Sequence, residues 1–309
     1  MAYLNNMKTG WIGFIYPPPP EITDTVDKLI WQMERAKEWG CTVLQPVAPL
    51  PQDDPAALKK IKDAMAQYDI EYEYRCPRDI FFLSTLKGDE QKKAIDSLQT
   101  EIDWVKNFGG KIMRCGYGAL KLETTRWNLT PGKTKDDQLK MIVESLKIAA
   151  PMFEKAGIYF AQENHLDFSG KEIAGIFEEI NSPNMGIALD TANGFGVLVD
   201  PNLDVEYMAP WAITSHIKDT KVIDEDRTEK KAAYFPMTPV GCPLGEGNLD
   251  IPKAVKLIAE KSRYPEGFHL IIEQGWFGSE AEKAGMGDYE YARYVLDKSI
   301  KYLQKLITV

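Results

Sequence analysis

The stretch "YFAQENHLDF" (159–168), followed by "GKEIAGIFEEIN" (170–181), reads as a buried strand that ends on three polar residues and then as a helix. The same order recurs along the chain. "WIGFIY" (11–16) precedes "TDTVDKLIWQMERAKEWG" (23–40), where Val26, Ile30, Met33 and Ala36 repeat at helical spacing, Thr23 or Asp24 caps the start and Gly40 ends the run. "CTVLQPVA" precedes "DPAALKKIKDAMAQY", "IEYEYRC" precedes "DEQKKAIDSLQTEIDWVKNFG", and "KIMRCGY" precedes "KTKDDQLKMIVESLKIAAPMFEKAG". After the opening stretch come "MGIALD" before a short helix near "LDVEYMAPW", "AITSHIKD" before "IPKAVKLIAEKS", and "FHLIIEQ" before "YEYARYVLDKSIKYLQKLI". Strict strand–helix alternation implies parallel strands joined by right-handed crossovers. Eight such units in 309 residues predict an α/β chain folded as a closed (β/α)8 TIM barrel, a single domain over 1–309. A doubly wound open sheet fits less well, because no strand-to-helix turn carries a G-x-G-x-x-G or G-x-x-x-x-G-K-[ST] phosphate loop. "PPPP" (17–20) reads as a stiff loop after the first strand.

Composition narrows the function classes. With 44% hydrophobic residues the chain can bury a large core, and no apolar run approaches the roughly 20 residues of a membrane span. The N-terminus "MAYLNNMKTG" lacks the apolar core of a secretory signal, so a cytoplasmic protein is expected. A formal charge of −9 opposes broad contact with a phosphate backbone, which disfavours nucleic acid as a partner. Cys41, Cys76, Cys115 and Cys242 lack C-x-x-C spacing and read as buried free thiols.

In a parallel barrel, side chains at the C-terminal strand ends converge on the mouth where active sites sit. Four consecutive late strands deliver one metal-type ligand each: Glu163, Asp190, His216 and Glu273. One carboxylate at a strand end is commonly a helix cap or an ion-pair member. Three carboxylates and a histidine on four successive strands are more specific, since charge within an apolar run is costly unless paired or bound to metal. Oxygen donors with one imidazole suit Mn²⁺, Mg²⁺ or Co²⁺ better than structural zinc.

"ENH" (163–165), "LDTAN" (189–193), "HIKD" (216–219), "GEGNLD" (245–250) and "IEQ" (272–274) resemble the xylose-isomerase-like barrel superfamily of sugar isomerases and epimerases. The resemblance implies one divalent metal, most simply Mn²⁺, on the same four ligands. It also implies a metal-dependent isomerase or epimerase of carbohydrate metabolism. In such an enzyme the ion polarises a ketose carbonyl, and Glu163 and Glu273 act as the catalytic pair that removes and returns a proton through an enediolate. The chain departs from the ketose 3-epimerase pattern in two places. Asn193 stands where a histidine often follows the metal aspartate, and Lys218 follows the metal histidine, with an arginine only at Arg227. The multinuclear repair enzymes of the superfamily need more histidines than the three present.

The same superfamily includes large subunits of bacterial C-glycoside deglycosidases, which use a histidine base near the first ligand and pair with a small β-rich subunit. His165 is the matching catalytic candidate; otherwise it orients Glu163. The runner-up activity is therefore a lyase on 3-oxo glycosides, or a polyol dehydratase, with a homo-oligomer or such a β-rich subunit as partner. A reading from another class is a non-catalytic sugar-binding barrel.

Further substrate-binding candidates are Arg114, Asn193, Lys218, Asp219, Glu246, Tyr16 and Trp276, with Trp127 as a further aromatic. Arg114 suits a hydroxyl, carboxylate or phosphate, and the aromatics suit a sugar face. The long connections 116–134 and 220–249 are expected at the catalytic face as lids, binding surfaces or subunit contacts. The run "DEDRTEKK" (224–231) reads as a solvated face.

Overall fold

The computed structural model describes residues 6–118, 120, 134–224, 237–264 and 267–308. Their strands are β1 (Lys8–Ile12), β2 (Val43–Gln45), β3 (Glu71–Tyr72), β4 (Tyr74–Arg75), β5 (Ile112–Gly116), β6 (Tyr159–Glu163), β7 (Met185–Asp190), β8 (Ala212–Ile217), β9 (Thr220–Asp224), β10 (Met237–Gly241) and β11 (His269–Ile272). Their helices are α1 (Thr25–Glu38), α2 (Pro55–Tyr68), α3 (Gly88–Phe108), α4 (Lys135–Ala156), α5 (Gly170–Ile180), α6 (Pro201–Met208), α7 (Ile251–Lys261), α8 (Glu280–Lys283) and α9 (Asp288–Ile307). Nine strands hydrogen-bond in the order β3-β2-β1-β11-β8-β7-β6-β5-β4, and β9 and β10 form a separate ribbon. The two ends of that order, β3 and β4, are separated in the chain by Glu73 alone, so they are one interrupted strand. Counting them once leaves eight strands, each followed by helical structure: the expected (β/α)8 barrel, nearly closed, with helices around it. Among the described residues no helix is long and apolar enough to cross a membrane.

The residues fall into two compact units: 1–72, 216–259 and 266–309 in the first, 73–215 and 260–265 in the second. In the first unit β1 pairs in parallel with β11 (Lys8↔His269) and with β2 (Gly10↔Val43). The approach at Gly10 requires glycine, because a Cβ there would meet the Val43 carbonyl oxygen at 1.6 Å. Ile12, Ile15, Val43 and Ile271 form a buried cluster beside these pairings. The first strand thus lies at 8–12 and not at 11–16. Residues 13–15 turn into a short 3₁₀ segment instead, leaving Phe14 56% exposed. Of the two caps expected for α1, Asp24 is the one used, accepting from the Val26 and Asp27 amides at 2.8 and 3.0 Å. At the N-terminal strand ends Glu71 takes the Lys8 ammonium and lies 3.8 Å from His269 Nε2. The neighbouring His269 ring is the main reason the Glu71 carboxyl is held at about 2, with Lys8 adding to it against the effect of burial.

In the second unit β5, β6 and β7 run in parallel register, with Gly116↔Glu163 and Glu163↔Ala188 opposite one another. Ile112, Ala161, Ala188 and Ile213 form its buried cluster, with Tyr159 and Tyr264 packed against it. Reciprocal capping boxes, Thr134 with Asp137 and Ser169 with Glu172, start α4 and α5. The second cap fixes where the loop that carries His165 must end. All four cysteines are free and buried, as expected.

Of the 116–134 connection, residue 119 and residues 121–133 lie outside the described residues, Trp127 among them; Arg227 and most of "DEDRTEKK" do also. The described part of 220–249 is not a plain loop. It contains the antiparallel β9–β10 ribbon, in which Lys221 faces Val240 and Thr220 faces Gly241.

Candidate functional site

Glu163 is the last residue of β6 and Asp190 the last of β7, and both are buried. The side chain of Asn164 continues the sheet between these strand ends. Its Nδ2 donates to the Asp190 carbonyl at 2.9 Å, and its Oδ1 accepts from the Asp190 amide at 2.6 Å. Asp190 Oδ1 accepts from the amides of Ala192 and Asn193 at 2.9 and 3.0 Å, which fixes the carboxylate plane at the start of the following turn. Asn193 Nδ2 donates to Glu163 Oε1 at 3.4 Å, and Arg114 Nη1, one strand over, stands 3.7 Å from Glu163 Oε2. His165 is exposed beside Gly116; a Cβ at position 116 would sit 3.2 Å from the His165 Cβ and 3.7 Å from Glu163 Oε2. Glycine there keeps open the space between imidazole and carboxylate.

His216 lies in β8 with no exposed surface, and Glu273 follows directly on β11. His216 Nδ1 is 2.8 Å from Glu273 Oε2, and its Nε2 contacts the Gln45 amide group at 2.9 Å from the nitrogen and 3.2 Å from the oxygen. Lys218 Nζ is 2.9 Å from the same Glu273 oxygen and lies over the Trp276 ring, 4.9 Å from its centroid. Burial acts to raise the Glu273 carboxyl, but the charges and hydrogen bonds of His216 and Lys218 outweigh it and hold the group well below the usual carboxylate range. Glu273 is thus kept ionised, as a ligand or a base must be.

Glu163 and Asp190 in the second unit, and His216 and Glu273 in the first, each offer one buried ligand atom. Buried carboxylates and an imidazole could hold a divalent metal ion; three oxygen donors and one nitrogen suit a hard or borderline cation.

The sequence profile of the xylose isomerase-like TIM barrel matches residues 33–293. The chain belongs to this family. Among curated relatives of the xylose isomerase-like barrel, a 3-oxo-isoapionate decarboxylase from Pectobacterium atrosepticum is 28% identical over 157 residues, 50% of this chain and 52% of that protein. The match thus spans about half the length of that relative. Among solved structures, a xylose isomerase-like TIM barrel protein from Mycobacterium smegmatis in complex with magnesium superposes with a TM-score of 0.64 at 15% identity, covering 96% of this chain and 99% of that one. D-psicose 3-epimerase from Clostridium cellulolyticum H10, with D-tagatose, superposes with a TM-score of 0.63 at 15% identity, covering 98% of each chain.

The remaining candidates occupy different places in this xylose isomerase-like barrel. Asp219 has no exposed surface, and both its carboxylate oxygens are taken by backbone: Oδ1 by Thr220 and Leu249, Oδ2 by Gly245 and Gly247, at 2.8 to 3.2 Å. It folds the "GEGNLD" turn and offers no free oxygen to a substrate. Glu246, in that turn, is paired with Lys298 of α9 on the surface. Tyr16 is 5% exposed and packed among Trp31, Trp39 and Tyr289, with ring centroids 4.9 to 5.6 Å away, so it is a packing aromatic. Trp276, 64% exposed and with φ +55°, covers Lys218 and keeps a broad free surface. The sequence motifs "ENH" and "IEQ" contain Asn164 and Gln274 but assign them no role, and Gln45 stands outside every motif. Gln274 repeats the device of Asn164, its Oε1 accepting from the Asp219 amide at 3.1 Å and its Nε2 donating to the Asp219 carbonyl at 2.8 Å.

Proposed function

We propose that the chain is a divalent-metal-dependent enzyme that acts on a sugar or sugar-like polyol by removing a proton next to a carbonyl, as an isomerase or epimerase. The observation that carries this is that Glu163, Asp190, His216 and Glu273 are all buried strand-end donors and that each glutamate has a cationic neighbour. Those four would hold the ion, with Mn²⁺ the expected occupant and Mg²⁺ or Co²⁺ the alternatives. A bound divalent ion supplies Lewis acidity that polarises a substrate carbonyl and stabilises the negative charge left when a neighbouring C–H proton leaves.

The rest of the work falls to the chain. Glu273, kept ionised by Lys218 and His216, accepts a proton from one side. Glu163, hydrogen-bonded by Asn193 and adjacent to Arg114, returns one to the other face. His165, set across the gap kept open by Gly116, relays protons between Glu163 and solvent. Trp276 offers an aromatic face to the sugar ring beside Lys218.

A second reading, a lyase that breaks a bond beside the carbonyl, is favoured by one observation: the relative that shares half the chain is a decarboxylase. Both reactions develop carbanion charge next to a carbonyl and need the same residues. The test is solvent-deuterium exchange into keto sugars and keto sugar acids, followed by NMR, with Mn²⁺ and after chelation. Metal-dependent exchange with an epimer or aldose appearing is expected, and Glu273→Gln should abolish it and weaken Mn²⁺ binding by at least about 100-fold. Release of CO₂ or an elimination product without epimer transfers the assignment to the lyase. Metal-independent binding of sugars with no exchange would sink both.

A further inference from the structure

The second unit contains a cavity of about 340 Å³ whose walls include Arg75, Arg78, Arg114, Glu163, His165 and Gly116. Three guanidinium groups therefore share a small concavity with one carboxylate. Arg114 is partly offset by Glu163 at 3.7 Å. Arg75 and Arg78 form no ion pair with a carboxylate among the described residues, and both are exposed, so their donors stand open to a ligand. Like charges gathered in a concave site repel one another and focus a positive potential on whatever enters. The arrangement becomes favourable when an anion accepts the forked guanidinium donors. Glycines leave the space for it: a Cβ at Gly118 would sit 3.4 Å from Arg78 Nη2, and one at Gly116 would face Glu163 and His165. The backbone here is fixed as well, since the Gly118 amide donates to the buried Asp167 carboxylate at 2.6 Å. At −9 overall the chain is acidic, so this pocket runs against the global charge.

We propose that this cavity is an anion subsite, and that the substrate is an acidic sugar derivative whose carboxylate or phosphate is gripped by Arg75 and Arg78 while its reacting end lies toward Glu163. The inference rests on Glu163 belonging to the reacting centre, and it replaces a neutral ketose or glycoside with a sugar acid or sugar phosphate as the substrate class.

A matched series tests it: D-fructose, D-fructuronate and D-fructose 6-phosphate, titrated calorimetrically into the wild-type chain, the Arg75→Gln/Arg78→Gln double variant and Glu273→Gln, each with Mn²⁺ and after chelation. Both arginines are exposed, and unchanged circular dichroism and melting will certify the double variant as folded. One anionic sugar is expected to bind at least about tenfold more tightly than fructose, as charge-assisted hydrogen bonds allow. The advantage should disappear in the double variant and shrink at high salt, yet persist in the chelated protein. Preference for fructuronate identifies a carboxylate and preference for the phosphate ester a phosphoryl group. Equal affinity for all three sugars, no binding of any of them, or an advantage that survives the double variant overturns the proposal. Mn²⁺ uptake measured on the same samples, and its loss in Glu273→Gln, reports separately on the metal reading.

Discussion

Asn164 and Gln274 perform the same task at two strand ends. Each follows a glutamate and lends its side-chain amide to the backbone of a neighbouring segment, Asn164 to Asp190 and Gln274 to Asp219. Where the backbone ladder runs out, the amide supplies one more donor–acceptor pair, so the ligand-bearing ends stay in register. Asn164→Leu leaves the Asp190 N–H and C=O buried without these partners. Stability should fall by about 2–4 kcal/mol in chemical denaturation, and Mn²⁺ affinity by about 10–100-fold in calorimetry. Unchanged Mn²⁺ affinity would show that Asp190 holds its position without the clamp. The glutamates themselves were legible in the sequence, since a charge closing an apolar run marks a strand end. The amides were not, because their partners lie on the next strand. The available signal was the repetition of Glu-amide in "EN" and "EQ" at two strand ends. Arg75 and Arg78 were hidden for a related reason: nothing local says which arginines share a cavity.

The "GEGNLD" turn and the β9–β10 ribbon depend on one buried side chain at the element scale. Asp219 collects four backbone N–H groups from Thr220, Gly245, Gly247 and Leu249. Asp219→Ala would leave those donors unpaired, and a loss of about 3–5 kcal/mol is expected. Amide exchange should show it locally, with Gly245, Gly247 and Leu249 losing protection while α1 and α2 keep theirs; uniform loss would mean that the turn is not an independent element. The strand–helix alternation that defines the barrel was readable because each unit is local and periodic. The ribbon was not: "MTPVG" carries Pro239, which argues against a strand interior, and the position is tolerated because the ribbon has only two strands. The first strand was misplaced by three residues at its start because "WIGFIY" is more apolar than "KTGWI". The register is set instead by Gly10, where only a glycine lets β1 approach β2.

For the whole molecule, acid stability should depend on the far ends of the strands as well as on the site. Glu71, bound by Lys8 and close to His269, has a carboxyl lowered from 4.5 to about 2, so it binds its proton more readily in the unfolded chain. Its stabilising contribution is present above pH 4.5 and is lost as pH falls toward 2, amounting to about 1–3 kcal/mol. Glu71→Gln is expected to lower stability at pH 7 by that amount and to flatten the acid limb between pH 4.5 and 2 in denaturation measured against pH. An identical acid limb in the variant would remove Glu71 from the account. The four thiols have a different consequence. Cys41 and Cys242 belong to the first unit and Cys76 and Cys115 to the second, none is more than 3% exposed, and burial pushes Cys41 and Cys242 up to about 12. An alkylating reagent can therefore reach them only when the surrounding structure opens. The molecule carries its own clocks, two in each unit, and mass mapping of labelled peptides would time the opening of each part without introducing a single foreign probe.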